Sequence, residues 1–352
     1  MHKRTQWLLG IAMIFSILLL ILCGHKYYLS RESKVSALEK EKKETVQEKN
    51  TVEKVIPKNS FLNLIGKDIR EVTEKLGQPI RIEPSYYHYD WWIYNQDLDN
   101  YLQIGVSHNK VVTLYANGKN VDVLPFTVGE SYRNIKEKYH LNSRVSFEYE
   151  KGSYQFVLTE DDLKIQPLIP IGEAFVQAYI DKFTGKLSGL RMLDKETLIK
   201  QGPYELFYRG ELIQSTINSR KQMDKIERAN ERQIFDITNI LRIREGVKPL
   251  KWDEKIAKVA YLHSKDMFTS QVFSHDSKKY GKLADRLDNG EVFYQLAGEN
   301  IAANYIDAPA VVEGWLNSFG HRESLLNGEF THLGVGVYRK YYTQNFIEKW
   351  TQ

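Results

Sequence analysis

Apolar residues recur every three to four positions along two stretches in the last third of the chain. The first stretch, residues 234–244, places apolar side chains at Ile234, Ile237, Ile240, Leu241 and Ile243. This is the spacing of one helical face, and Gly246 provides a C-terminal stop. The second stretch follows Asp253, a predicted N-cap, and runs to about Phe268. The pattern predicts two amphipathic helices joined by an extended connector.

Between residues 60 and 208 the pattern changes to short alternating stretches that are typical of strands. Two segments, 64–77 and 126–139, each have the pattern of a strand, a glycine and a short amphipathic helix, and strand-like stretches follow both. This parallel order predicts a small α+β domain with an internal duplication.

Aromatic residues crowd positions 86–94 of that domain. Aromatic rings stack on sugars and meet partner surfaces, which suggests a binding stripe. However, strand alternation places Tyr87, Tyr89 and Trp91 on one face, so at least one set of rings is expected in a core. Core packing is the favoured prediction.

An apolar run covers residues 7–23 and is followed by no small-x-small cleavage site. Because the run is just long enough to span hydrocarbon, we predict an uncleaved signal anchor over residues 1–29. Lipidation of Cys23 is the alternative, but Leu22 occupies a position that requires a small residue. The Lys- and Glu-rich residues 30–59 predict a solvated spacer.

Composition sets outer limits on the function. The 352 residues, 42% of them hydrophobic, are enough for two cores, and the net charge of +4 comes from intermingled acids and bases. A nucleic-acid partner is not expected, because no basic stripe is present. Cys23 is the single cysteine, so disulfides play no stabilising role.

Three motifs of the last third carry side chains suited to a site: Phe273-Ser274-His275, Gly298-Glu299-Asn300, and Trp315 to Arg322 with the pattern W-x-x-S-x-G-H-R. In this order they resemble the CAP superfamily (cysteine-rich secretory, antigen 5, pathogenesis-related) in its cysteine-free bacterial form. The resemblance covers residues 228–352.

Residues 60–208 resemble the CAP-associated N-terminal domain of bacterial CAP proteins, and residues 209–227 are expected to connect the two. The resemblance implies an α+β protein with a C-terminal α-β-α sandwich. A duplicated small α+β domain and an N-terminal transmembrane helix precede that sandwich.

The resemblance also implies a cleft. CAP domains carry a tetrad of two histidines and two acids, and His275, Glu299 and His321 match three of its positions. Ser318 stands where the eukaryotic pattern has the fourth residue, an acid. The expected cleft residues are therefore His275, Glu299, Ser318 and His321.

Two hypotheses for this cleft stay open. Two imidazoles and a carboxylate with an open fourth position are the ligand set of catalytic zinc, so His275, Glu299 and His321 could hold a divalent metal such as zinc. Alternatively, Glu299 accepts a hydrogen bond from an imidazole and fixes its tautomer, with no metal involved.

The leading functional hypothesis is a membrane-anchored, extracytoplasmic module at the bacterial cell envelope. Its cleft would bind a small ligand or a metal, and its partners would be the membrane and an envelope component or protein. The alternative is a metal-dependent or serine hydrolase acting on peptide or envelope substrates, since Ser318 lies three residues before His321. A structural spore or wall component is a third class. The sequence does not decide whether the protein is an enzyme.

Overall fold

A seven-stranded antiparallel sheet forms the centre of the N-terminal half, with strand order β1-β2-β3-β4-β9-β8-β7, and a three-stranded sheet of order β10-β6-β5 accompanies it. The strands are β1 Arg81–Pro84, β2 Asp90–Tyr94, β3 Leu102–Ser107, β4 Lys110–Ala116, β5 Arg144–Tyr149, β6 Gly152–Val157, β7 Leu168–Ile171, β8 Ala174–Asp181, β9 Lys186–Leu193 and β10 Glu205–Arg209. The helices are α1 Ile69–Leu76, α2 Tyr132–Lys138, α3 Glu160–Ile165 and α4 Lys195–Gln201.

This computed structural model describes residues 56–350. The predicted anchor, residues 1–29, and most of the predicted spacer, residues 30–59, lie outside the described residues. None of the helices in the described range is long and apolar enough to cross a membrane.

The helices α1 and α2 are attached to the large sheet in the same way. The N-cap residues Asp68 and Ser131 each form an isolated antiparallel bridge to a hairpin strand, at Lys110 of β4 and Lys186 of β9 respectively. Each of those strands pairs with the strand before it through a register shift. The two segments that share a sequence pattern therefore also share a mode of attachment.

A four-stranded sheet of order β11-β13-β14-β12 forms the centre of the C-terminal half. Its strands are β11 Lys251–Trp252, β12 Leu296–Ala303, β13 His332–Tyr338 and β14 Tyr341–Glu348. The helices of this half are α5 Arg220–Arg244, α6 Glu254–Ser270, α7 Leu283–Asn289, α8 Ala308–Leu316 and α9 Phe319–Leu326.

Alternation along β13 sends its side chains to two helical layers. Val335 and its alternating neighbours pack in one hydrophobic cluster with α5, α8 and α9. On the opposite face, Gly334 and Gly336 lie against α6, while α6 and α7 share a second cluster that includes Ile347 of β14. This arrangement is the α-β-α sandwich expected from the resemblance.

Local signals for the helix ends are confirmed. Asp253 accepts hydrogen bonds from the amides of Lys255 and Ile256 and so caps α6, because its carboxylate satisfies donors that lack an intrahelical partner. Helix α5 ends just before Gly246, whose φ of +74° favours glycine.

Helix α5 begins earlier than the predicted domain boundary at residue 228. Ser219 caps it by accepting from the amide of Gln222, so residues 220–227, which were assigned to the connector, form its first turns. Buried Met223 and Ile226 extend the apolar face in the N-terminal direction, which explains why the helix continues through this segment.

The aromatic residues between positions 86 and 94 are confirmed as core. Tyr87, Tyr89 and Trp91 are at most 5% exposed. They pack in the same cluster as Ile226 and Trp315 of the C-terminal half. The two halves therefore share a hydrophobic core.

Gly336 should tolerate no side chain. A Cβ atom added there would lie 1.9 Å from the backbone nitrogen of Tyr261, so α6 would have to move away from β13. We expect Gly336→Ala to lower the free energy of unfolding by at least ~2 kcal/mol, measured by urea denaturation. Gly320→Ala is the matched control, because its Cβ would meet nothing within 4 Å, and its effect should stay within ~0.5 kcal/mol. Equal effects of the two substitutions would contradict this account of the α6–β13 contact.

Candidate functional site

The edge strand β12 carries the centre of the site. Glu299 and Asn300 are consecutive on it, so they point to opposite faces of the sheet. Glu299 faces the layer of α6 and α7, whereas the Asn300 amide donates to the backbone oxygen of His321 on α9. Because β12 is an edge strand, groups from both helical layers can reach around it and meet.

Glu299 is a buried carboxylate with both oxygens occupied. Its Oε1 accepts from Nδ1 of His275 at 2.9 Å, and its Oε2 pairs with the Arg286 guanidinium at 2.5 Å. Both Glu299 and Arg286 have side chains less than 5% exposed. Arg286 also donates to the backbone oxygen of His275, which fixes the loop that carries this histidine.

His263 of α6 lies behind this group. Its Nε2 is 3.8 Å from Oε1 of Glu299, and its side chain is fully buried. Burial lowers the pKa of His263, because a charged imidazolium would lose its hydration there.

His321 approaches from the other helical layer. Its Nδ1 lies 2.9 Å from Oγ of Ser318, at the start of α9. Burial lowers the pKa of His321, and the nearby imidazole of His275 lowers it further. The structure thus links His275 directly to Glu299, links His321 directly to Ser318, and places the two imidazoles within electrostatic range of each other.

Arg322, next to His321, ties this segment to the N-terminal half. Its guanidinium pairs with Asp181 of β8 at 3.0 Å, and the exposed Phe183 ring lies 6.5 Å from the ring of Phe319. The side-chain oxygen of Asn317 accepts from the Lys182 amide. The start of α9 is therefore held by the β8–β9 turn.

The three predicted metal ligands do not fit a metal equally well. Glu299 already neutralises Arg286 and holds His275, so its charge is committed. Across residues 56–350, no group of three or more His, Cys, Asp or Glu side chains has an arrangement that could hold a metal ion. The arrangement suits Glu299 better as the group that orients His275: a histidine that donates its Nδ1–H to a carboxylate keeps the Nε2 lone pair for a ligand.

A hollow of about 490 Å³ lies between α6 and the loop that carries His275. Ser274, Asp276 and His263 line it, whereas His275, Glu299, Ser318 and His321 do not. Phe273 is 54% exposed and Phe319 68% exposed, so each histidine has an exposed aromatic residue close to it in sequence.

Sequence reasoning did not assign Arg286 or His263 to the site. Neither belongs to the three motifs, and they lie 13 and 36 positions before Glu299 in the chain. Arg286 lies on a helix whose pattern gives no sign that its guanidinium is buried. Only the tertiary arrangement shows that Glu299 has a cation as its partner.

Comparison with known families agrees with this architecture. Residues 65–204 match the family model described as CAP-associated N-terminal, and residues 235–352 match the cysteine-rich secretory protein family. The membrane protein YlbC of Bacillus subtilis is 53% identical over 289 residues, which covers 82% of this chain and 84% of YlbC. The chain belongs to the CAP family. It is a CAP protein with a CAP-associated N-terminal domain.

Solved structures show the same pairing of domains. An extracellular SCP-domain protein from Bacillus anthracis is 49% identical with a TM-score of 0.80, and the match covers 83% of this chain and 96% of that one. A cysteine-rich secretory protein from Staphylococcus aureus is 30% identical with a TM-score of 0.74 and equal coverage. Bacterial relatives of this CAP protein are thus described as membrane or extracellular proteins.

Proposed function

We propose that this CAP protein is a binding module at the outer face of the cell membrane, with His275, Glu299, Ser318 and His321 as its cleft. The observation that carries the proposal is the way both imidazoles are held at Nδ1, by Glu299 and by Ser318. Each ring thereby directs its Nε2 edge away from its holder, toward a small ligand or a divalent ion.

The surroundings of the two imidazoles support binding. The hollow beside the loop that carries His275 has a volume within the range of small-molecule sites, and it borders the cleft without being lined by the four cleft residues. Exposed Phe273 and Phe319 add apolar surface of the kind that proteins use for contact with a partner. A small envelope component or a protein segment with apolar groups fits this surface.

The apolar run at residues 7–23 supports membrane attachment through an uncleaved single span, with the bulk of the chain outside the cytoplasm. The related YlbC is described as a membrane protein and the Bacillus anthracis relative as extracellular. The matched bridges at Asp68 and Ser131 support an internal duplication of the N-terminal domain, residues 60–208.

If the cleft takes a metal, His275 and His321 would hold it, and the metal would supply a Lewis acid. We then expect purified protein to take up Zn²⁺ in a calorimetric titration and the variants His275→Ala and His321→Ala to take up none. Glu299→Gln should weaken uptake by ~10–100-fold, because it removes the carboxylate that orients His275. His332→Ala is the control, since this histidine contacts Thr331 and not the cleft.

Absence of Zn²⁺ binding would point to an organic ligand. If wild-type protein binds no Zn²⁺, and His321→Ala lowers only the free energy of unfolding by ~1–3 kcal/mol, the imidazoles act as a framework for an organic ligand. Zn²⁺ uptake that survives both histidine substitutions would refute the cleft as the site of metal binding.

A second candidate function is serine hydrolysis, which the distance of 2.9 Å between Ser318 Oγ and His321 Nδ1 favours. Under this alternative Ser318→Ala removes all hydrolysis of activated esters while Zn²⁺ uptake persists. Under the binding-module proposal neither wild type nor Ser318→Ala hydrolyses them.

A further inference from the structure

A second cavity lies where the N-terminal half meets the turn between β13 and β14. In the sheet, this turn is several residue pairs away from the cleft. The volume of the cavity is about 250 Å³, and it is lined by Tyr86, Tyr87, Ser215, Ile217, Met223, Arg339 and Lys340. The lining contains two cationic side chains and no acidic one. Its remaining surface is aromatic, aliphatic or hydroxyl.

Lys340 is partly buried without a carboxylate partner. Its Nζ donates to the hydroxyl of Tyr87 at 3.2 Å and lies 5.1 Å from the ring centroid of Tyr86. Among the described residues no acid lies within ion-pair distance of it, and Asp307 acts on it only at longer range. Burial accordingly lowers the pKa of Lys340. A desolvated cation is costly unless it gains a counter-charge, so the cavity is electrostatically suited to an anion.

The backbone that carries these two cations is itself in a strained conformation. Arg339 and Lys340 form the two-residue turn between the paired residues Tyr338 and Tyr341, with φ of +51° and +61°. A hairpin turn with positive φ at both positions prefers Asn-Gly, because side chains larger than these are strained there. The chain has arginine and lysine instead, so both strained positions carry cations of the cavity lining.

We propose that this cavity binds a small apolar carboxylate, such as an aromatic or short aliphatic acid. The carboxylate accepts hydrogen bonds from Lys340 and from the Arg339 guanidinium, and its apolar part packs against Ile217 and Met223. The two positive charges of the lining disfavour cationic ligands and metal ions. The volume lies below that of sites for drug-sized molecules and suits a ligand whose buried part is about one ring.

This site is independent of the His275–His321 cleft. In the pairing of β12 with β14, Glu299 lies opposite Asn345, whereas the turn directly precedes Tyr341, which pairs with Ala303 at the end of that ladder. Failure of one site to bind therefore says nothing about the other.

Benzoate is the probe, with benzamide and benzylamine as the neutral and cationic molecules of similar shape. In calorimetric titrations of the full-length protein we expect saturable benzoate binding. Benzamide should bind ~10-fold or more weakly, because it lacks the charge that pairs with Lys340, and benzylamine should not bind. Inorganic phosphate, an anion without an apolar part, should compete poorly.

Lys340→Met keeps most of the side-chain stem and removes the charge, so benzoate affinity should fall by ~10-fold or more, while Lys340→Arg should restore most of it. Lys251→Met removes an exposed lysine of β11 and should leave benzoate binding unchanged. If Lys340→Met fails to fold, the double substitution R339N/K340G provides the second test. It suits the turn, and it should fold without binding benzoate.

Several results would overturn the proposal. The first is the absence of saturable benzoate binding up to ~10 mM, because a weaker affinity would be too low to matter. The second is equal affinity for benzoate and benzamide, and the third is displacement of benzoate by phosphate at equal concentration. The fourth is unchanged benzoate binding by a folded Lys340→Met protein.

Discussion

Replacing Asp307 with alanine is expected to lower the free energy of unfolding by roughly 3–5 kcal/mol. The side chain of Asp307 is 4% exposed and accepts from the fully buried Arg191 guanidinium at 2.6 Å. Removing the carboxylate would leave this cation buried without a counter-charge. Asp307 also caps α8 through the Ala310 amide, so the same substitution removes a cap. Urea denaturation monitored by tryptophan fluorescence measures the effect.

The exposed pair Arg133–Glu137 provides the control. Its side chains are 85% and 68% exposed, so Glu137→Ala should change stability by no more than ~0.5 kcal/mol. A loss below ~1 kcal/mol for Asp307→Ala would mean that water reaches Arg191 and that the pair is not desolvated.

Arg191 lies on β9 and Asp307 caps α8, so this ion pair joins the two halves of the protein. A second buried contact does the same, since the Tyr115 hydroxyl donates to Glu313 at 2.8 Å. Burial raises the pKa of Glu313, which reflects the low polarity of this interface. We therefore expect residues 56–350 to unfold in one transition, with Asp307→Ala lowering the midpoint of the whole unit.

Local structure was predictable because its causes are local. The Asp253 cap, the end of α5 before Gly246 and the burial of Tyr89 and Trp91 follow from capping chemistry, backbone preference and strand alternation. The start of α5 at Arg220 does not follow from the apolar period that begins at residue 234, although buried Ile226 belongs to the same face.

What the buried aromatic residues pack against was not predictable in this way. Alternation places Tyr87 and Trp91 on one face, but only the fold shows that this face contacts the C-terminal half. The same limit applies to the site. The motifs identify His275 and Glu299, whereas the partner of Glu299, Arg286, is defined by the packing of α7 against β12.

Glu299→Ala should also be strongly destabilising, by roughly 3–5 kcal/mol, because Arg286 is 4% exposed and would lose its counter-charge. Adding Arg286→Met removes the second charge and keeps apolar volume. The double variant should therefore be more stable than Glu299→Ala alone, and a double-mutant cycle should give a coupling of ~1–3 kcal/mol. Both quantities come from urea denaturation of the four proteins.

The sign of that coupling tests the role assigned to Glu299. If the charge of Glu299 is committed to Arg286, removing both side chains restores stability. Adding Zn²⁺ to the Glu299→Ala protein should then not restore stability. If Glu299 instead acts as a metal ligand with Arg286 as a spectator, the two substitutions add without coupling, and Arg286→Met alone is close to neutral. Coupling would leave His275 and His321 as the groups of the cleft that are free to contact a ligand, since Glu299 would then act by holding the ring of His275 in place.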